Sequence, residues 1–158
     1  EVVWDEIAAQ WGVRLPGNFA EILRDEVHQA LAEELLPIAG VGEVLAGLPY
    51  EKCIASGASP SRLAFTLSLT GLAGMFEGKC FSGSMVSRGK PEPDVFLFAA
   101  RKMGFEPARC LVVEDSRNGV RAAIAAGMTV FGFTGAGHCL PGLADELLGL
   151  GCREVFAI

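Results

Sequence analysis

Three short segments carry the groups that could do chemistry. Ser56-Gly57-Ala58-Ser59 directly follows the apolar run Cys53-Ile54-Ala55. A hydroxyl and free backbone N–H groups at the start of a helix suit an anion, and Gly57 lets the main chain approach a ligand closely. The same residues would equally serve as an ordinary N-cap before Pro60. Lys90 lies in Arg88-Gly89-Lys90-Pro91-Glu92-Pro93-Asp94. The prolines fix the backbone around it and the start of the next helix, making Lys90 a candidate fixed cation that could neutralise a phosphoryl oxygen. Asp94 is expected to serve the first helical turn rather than the chemistry. Arg88 is by default a solvated charge, although it is near enough to Lys90 to reach a substrate. Glu114-Asp115-Ser116 ends the run Leu111-Val112-Val113. Adjacent carboxylates are costly to bury without a cation, and Mg²⁺ takes hard oxygens while keeping waters and substrate phosphate oxygens. Capping of the next helix by Asp115 or Ser116 competes with metal binding, and the residues leave both open.

The elements that must position these groups follow from periodicity and punctuation. Residues 2 to 11 read as a helix with Val3, Ile7 and Trp11 on one face. A second helix spans about Asn18 to Leu36, with Asn18 as its N-cap and Pro37 beyond its end. Phe19, Ile22, Leu23, Val27, Ala30, Leu31 and Leu35 form its apolar stripe. A short helix is expected over 41 to 48, and longer ones over Pro60 to Leu69 and Pro93 to Met103. The latter would turn Val95, Phe98, Ala99 and Lys102 to one face. Asn118 to Ala126, stopped by Gly127, and Leu143 to Leu150 complete the helices. Strands are expected at Lys52 to Ala55, Cys80 to Ser82, Cys110 to Val113, Thr129 to Phe133 and Glu154 to Ala157. The run Cys110 to Val113 is continuously apolar, as in a parallel strand buried on both faces. Strand–helix alternation implies βαβ units, with ligands outside the carboxyl ends of the strands. The fold class is therefore α/β with a parallel, Rossmann-like sheet. Residues 1 to 38 make a small helical unit and residues 39 to 158 the sheet-bearing core.

Composition limits the partners. The chain has 158 residues, 51% of them hydrophobic, with 20 glycines and a net charge of -6. That balance argues against nucleic acid, which needs clustered cations. No apolar run approaches the roughly 20 residues of a membrane helix, and the acidic, amphipathic start is unlike a signal peptide. Cys53, Cys80, Cys110, Cys139 and Cys152 are odd in number and form no C-x-x-C pair, which suits a reducing cytoplasm. Cys139 follows His138 in a Gly-rich loop with no evident base for thiol chemistry. The expected role of that loop is to shape a pocket mouth or none at all. Trp4 and Trp11 are expected to pack rather than stack on a ligand.

Taken together, the segments resemble the haloacid dehalogenase (HAD) superfamily, in its subgroup of β-phosphoglucomutase-like proteins and small-molecule phosphatases. Ile54-Ala-Ser-Gly-Ala-Ser59 is similar to the family's Ser/Thr motif, Gly89 to Ala100 to its lysine motif, and Val112 to Met128 to its acidic motif. Their order and spacing agree, and residues 1 to 36 resemble the later helices of the family's helical cap. The resemblance implies that Ser56 and the Gly57 backbone hold a transferring phosphate and that Lys90 bridges it to the nucleophile. It implies Mg²⁺ on Asp115, with Glu114 a second or water-mediated ligand, and Ser116 and Asn118 as supports of the loop. The reaction would be in-line displacement at phosphorus through an aspartyl-phosphate.

The family's first motif, Asp-x-Asp-Gly-[Thr/Val] on an apolar strand, has no match here. Asp5-Glu6 and Asp25-Glu26 fall in helices, and the chain begins at Glu1. Its strand would lie between those ending at Ser56 and Val113, so a gap with unpaired backbone is expected there. The expectation is a truncated protein, inactive as this chain alone, whose full form is a Mg²⁺-dependent phosphatase of a sugar phosphate or sugar acid phosphate. A phosphomutase needs a second phosphate site, and Ser59 stands where a basic residue would help one. A dehalogenase would not need the acidic pair, and a receiver domain would order its strands differently. A non-catalytic phosphate- or Mg²⁺-binding fragment is the alternative from another class. The expected partner is a small phosphorylated molecule, and the expected state a monomer or weak dimer.

Overall fold

A computed structural model of the chain describes residues 2–157. They fall into two compact units, one ending at Pro37 and the other beginning at Ile38. The first unit holds two helices, α1 (Val2–Trp11) and α2 (Phe19–Glu34). The less exposed positions of α2 recur at Phe19, Leu23, Val27 and Leu31, a four-residue stripe that keeps to one face. The Trp4 ring meets Phe19 edge-on, with centroids 5.5 Å apart. Two expectations are corrected here. Trp11 is 73% exposed and does not pack. Asn18 occupies the N-cap position of α2 without a side-chain cap bond.

The second unit contains α3 (Val41–Gly47), β1 (Ile54–Ser56), α4 (Pro60–Leu69), β2 (Cys80–Ser82), α5 (Asp94–Met103), β3 (Leu111–Glu114), α6 (Arg117–Ala125), β4 (Thr129–Phe133), α7 (Leu143–Gly149) and β5 (Glu154–Phe156). One-turn 3₁₀ helices at Ala73–Phe76, Gly83–Met85 and Pro107–Arg109 were not foreseen from periodicity. All strand pairings are parallel. β1 pairs with β2, aligning Ile54 with Cys80 and Ser56 with Ser82. β3, β4 and β5 make a second sheet in that order, with Val112 beside Val130 and Gly132 beside Val155. Among the described residues no ladder joins β1 to β3.

The core explains the order of these elements. Val95, Phe96 and Ala100 of α5, Val120, Ala122 and Ala123 of α6, and Leu143 and Leu147 of α7 pack with Met128, Val130 and Cys152. At Gly132 a Cβ would come within 2.8 Å of Val155 and 3.0 Å of Leu147, so α7 and β5 close tightly over β4 only because that residue is glycine. Burial also raises the thiol pKa of Cys53, Cys80, Cys110 and Cys152, which keeps them neutral near pH 7.

Two side-chain assignments change. The apolar run at β3 suggested burial on both faces, but Leu111 and Val113 are 54% and 56% exposed. α6 and α7 cover the face that carries Val112, Val130 and Gly132, and successive strand residues point to opposite faces. In α5 the buried face is Val95, Phe96, Ala99 and Ala100. Phe98 lies on the flank, edge-on to Phe81 and beneath Arg101 and Lys102, and Lys102 is exposed.

Candidate active site at the strand ends

The carboxyl ends of β1, β3 and β4 surround an open cavity of about 570 Å³. Its walls are Ala55, Ser56, Gly57, Lys90, Val113, Glu114, Asp115, Ser116, Asn118 and Phe133. Every position singled out from the sequence as a site residue is there. Parallel strands bring this about, since each ends on the same side of the sheet and its successor loop turns into a helix there.

Each wall has its own local cause. After β1 the chain makes a tight turn in which the Ala58 N–H donates to Ser56 Oγ at 3.1 Å. Ser59, not Ser56, is the N-cap of α4, its Oγ accepting from Arg62 N, with Pro60 at the first helical position. The hydroxyl of Ser56 thus keeps its own proton for another partner. The turn is held from below by Ser82, fully buried, whose Oγ donates to the Ala58 carbonyl at 2.6 Å. Nothing in the sequence marked Ser82, because its role depends on β2 lying beside β1.

Lys90 is held as a fixed cation. Its Nζ forms an ion pair with Glu114 and donates to the Ala55 carbonyl at 3.2 Å. It also lies 4.6 Å from the centroid of the buried Phe96 ring. Lys90 therefore ties the end of β1 to the end of β3, two strands that share no backbone bonds. An ammonium has three N–H donors, and these contacts use two. Arg88 is committed elsewhere. It makes two hydrogen bonds to Asp94, at 2.8 and 3.2 Å, and an ion pair with Glu92. The guanidinium holds the Asp94 carboxyl below its ordinary pKa range. This clasp closes the loop on which Lys90 stands.

The neighbouring acids differ in environment. Glu114 is buried, accepting from Lys90, from Ser116 N at 3.3 Å and from Ser116 Oγ at 3.0 Å. Asp115 is 40% exposed. Ser116 caps α6 through a bond from Gly119 N at 3.0 Å, so capping falls to Ser116 and Asp115 remains open to the cavity. Ser116 thus serves the helix and Glu114 at once. Ser116→Ala is expected to cost about 1–2 kcal/mol, more than a simple cap, because Glu114 also loses a donor. Urea unfolding of the two proteins measures it, and a loss under about 0.5 kcal/mol would contradict this double role.

Carboxylate, hydroxyl and amide oxygens at Asp115, Ser116 and Asn118 are the hard donors that Mg²⁺ accepts, with water and phosphate oxygens filling the remaining positions. The described residues contain no group of three His, Cys, Asp or Glu arranged to enclose a metal alone. Such a donor set suits an ion shared with a phosphate, not a closed structural site. From the sequence, His138 is expected only to shape a pocket mouth or to have no role. Its Nε2 lies 3.2 Å from Asp115 Oδ2, a proximity with no signal in the chain order.

Residues 2–127 match the family model for haloacid dehalogenase-like hydrolase. The chain belongs to the haloacid dehalogenase-like hydrolase family. A 6-phosphogluconate phosphatase of Escherichia coli is 31% identical over 138 residues, covering 87% of this chain and 62% of the phosphatase. The chain thus spans under two thirds of that family member's length. A haloacid dehalogenase-like protein of unknown function from Agrobacterium tumefaciens aligns over 98% of this chain and 71% of its own, with 34% identity and a TM-score of 0.87. A family hydrolase from Deinococcus radiodurans, solved with bound phosphate and sodium, aligns over 99% of this chain and 69% of its own, with 34% identity and a TM-score of 0.80. The α/β architecture with parallel strands is the family's.

Proposed function

We propose that this chain is the larger part of a Mg²⁺-dependent phosphatase acting on a small phosphorylated metabolite, a sugar phosphate or sugar acid phosphate. The observation that carries the reading is the meeting of Ser56, Gly57, Lys90, Glu114 and Asp115 at one cavity. A hydroxyl, a glycine backbone and a fixed ammonium suit a phosphoryl group, whose transfer needs positioning and charge neutralisation above all. In this reading Ser56 Oγ and the Gly57 N–H donate to phosphoryl oxygens. The third N–H of Lys90 does the same, while Glu114 holds the ammonium in place. Asp115 would hold Mg²⁺, with Ser116 and Asn118 beside it. The bound ion would supply charge neutralisation at the phosphoryl oxygens.

The carboxylate nucleophile that would form an aspartyl-phosphate is assigned to a segment outside these 158 residues. Glu114 is engaged by Lys90 and Asp115 is assigned to the ion. The phosphate bound in the Deinococcus radiodurans relative and the sugar acid phosphate named for the Escherichia coli one support the substrate class. Five free cysteines fit a reducing, cytoplasmic setting. No helix among the described residues is long and apolar enough to cross a membrane. A monomer or weak dimer is the proposed state.

The test is an assay of phosphate release from a panel of sugar phosphates and sugar acid phosphates, with Mg²⁺ and with EDTA. It compares the full gene product with the 158-residue chain. The full product is expected to release phosphate only with the ion, and the chain alone to release none. Isomerisation without phosphate release would mean a phosphomutase. Turnover by the chain alone would overturn the external nucleophile, and binding without turnover in the full product would reduce the chain to a phosphate-binding module.

A further inference from the structure

Asp115 is the less secured of the two acids. Glu114 has three donors and is buried, whereas among the described residues the one ion-pairing partner of Asp115 is His138, at 3.2 Å. We infer that His138 is a positioning residue for Asp115, holding Oδ2 so that Oδ1 is presented to a divalent cation. The inference rests on the metal reading proposed above and adds a residue to it.

The geometry favours a built contact. Asp115 lines the main cavity and also a second one of about 340 Å³, walled by Arg117, His138, Leu140, Pro141 and Leu143. The segment carrying His138 is anchored at both ends. On one side the Thr134 N–H donates to the Phe156 carbonyl at 2.9 Å, beside the end of β5. On the other, Leu143 is buried in the core at the start of α7. Between them Cys139 N donates to Ala136 O at 2.9 Å, closing the turn that presents the imidazole. Arg117 pairs with Glu146 across α6 and α7. Arg117 is therefore not competing for Asp115.

A partly exposed carboxylate that samples several rotamers must be ordered when it takes a cation. A partner that orders it beforehand removes that cost, and loss of such outer contacts lowers metal affinity by about 10–100-fold in known sites. Nε2 is the ring atom that faces Oδ2; in the proposed role it donates, so a side chain that presents an amide N–H at similar reach should replace it.

The experiment uses the full gene product and Mn²⁺ as a paramagnetic probe, with free ion counted by electron paramagnetic resonance. His138→Ala is expected to weaken Mn²⁺ binding about tenfold, and His138→Gln to recover most of the loss. In turnover assays the half-saturating Mg²⁺ concentration should rise for the alanine variant while KM for substrate at saturating Mg²⁺ stays unchanged. Equal Mn²⁺ affinity in wild type and His138→Ala, or a glutamine variant as weak as alanine, would overturn the positioning role and leave the metal reading intact. No Mn²⁺ binding by the wild type would overturn both.

Discussion

Lys90→Met is expected to abolish phosphate release and to destabilise the fold by about 3–5 kcal/mol, the cost of leaving a buried charge without its partner. Glu114 is 9% exposed and Lys90 16%, and they face each other across the ends of β1 and β3. Removing the ammonium leaves the carboxylate with only the donors of Ser116. The same uncompensated charge fixes what a second substitution should do. In Lys90→Met with Glu114→Gln, neither charge remains, and glutamine can still accept from Ser116. The double variant should recover at least about half of the lost stability while staying inactive, since replacement of a whole buried pair is often nearly neutral. Urea denaturation of wild type, both single variants and the double variant gives the coupling energy directly. A double variant whose losses simply add would mean that the pair is not coupled and that Lys90 is an ordinary surface cation.

Gly119→Ala is expected to reverse the usual sign of such a change. In an open helix, alanine in place of glycine stabilises by about 1 kcal/mol. At Gly119, in the first turn of α6, a Cβ would overlap the carboxyl group of Glu114. The carboxylate must move, and with it the ion pair that fixes Lys90. Overpacking of this kind costs about 1–3 kcal/mol, which outweighs the propensity gain. A displacement of Lys90 near 1 Å would lower kcat by about 10²-fold. Gly42 in α3 is the control, because a Cβ there meets nothing within 4 Å. Gly42→Ala should be neutral or stabilising. Adding Glu114→Asp to Gly119→Ala withdraws the carboxylate by one methylene and should restore part of the stability without the activity. Wild-type stability and turnover in Gly119→Ala would show that Glu114 has another place to go.

Much of the local structure was legible because its causes are local. Pro60 after Ser59 opens α4, Gly127 closes α6, and the run Thr129 to Phe133 is a strand by composition and by structure. The three chemical segments were legible for a related reason. Each lies where an apolar strand stops or a proline-braced helix starts, and parallel strands place all such points on one side. Facing was less legible. Leu111-Val112-Val113 is uniformly apolar, and only the presence of α6 and α7 on one side reveals that Leu111 and Val113 lie on the less covered face. Phe98 and Lys102 fit a helical stripe as well as Phe96 and Ala100 do, and contact with α6 and β1 chose the second set.

By itself, the sequence determined which elements form, their order, and which hydroxyl, ammonium and carboxylates stand at their ends, because these depend on neighbours a few residues away. Tertiary structure decided the allegiances among those groups. It gave Lys90 to Glu114, Arg88 to Asp94, Ser82 to the turn after β1, and His138 to Asp115. Apart from Arg88 and Asp94, which share one loop and the helix after it, these pairings join residues more than 20 apart in the chain, and charge or hydrogen-bonding capacity alone does not choose among many possible partners. Only the closing of strands and helices around a shared core brings one of them within reach.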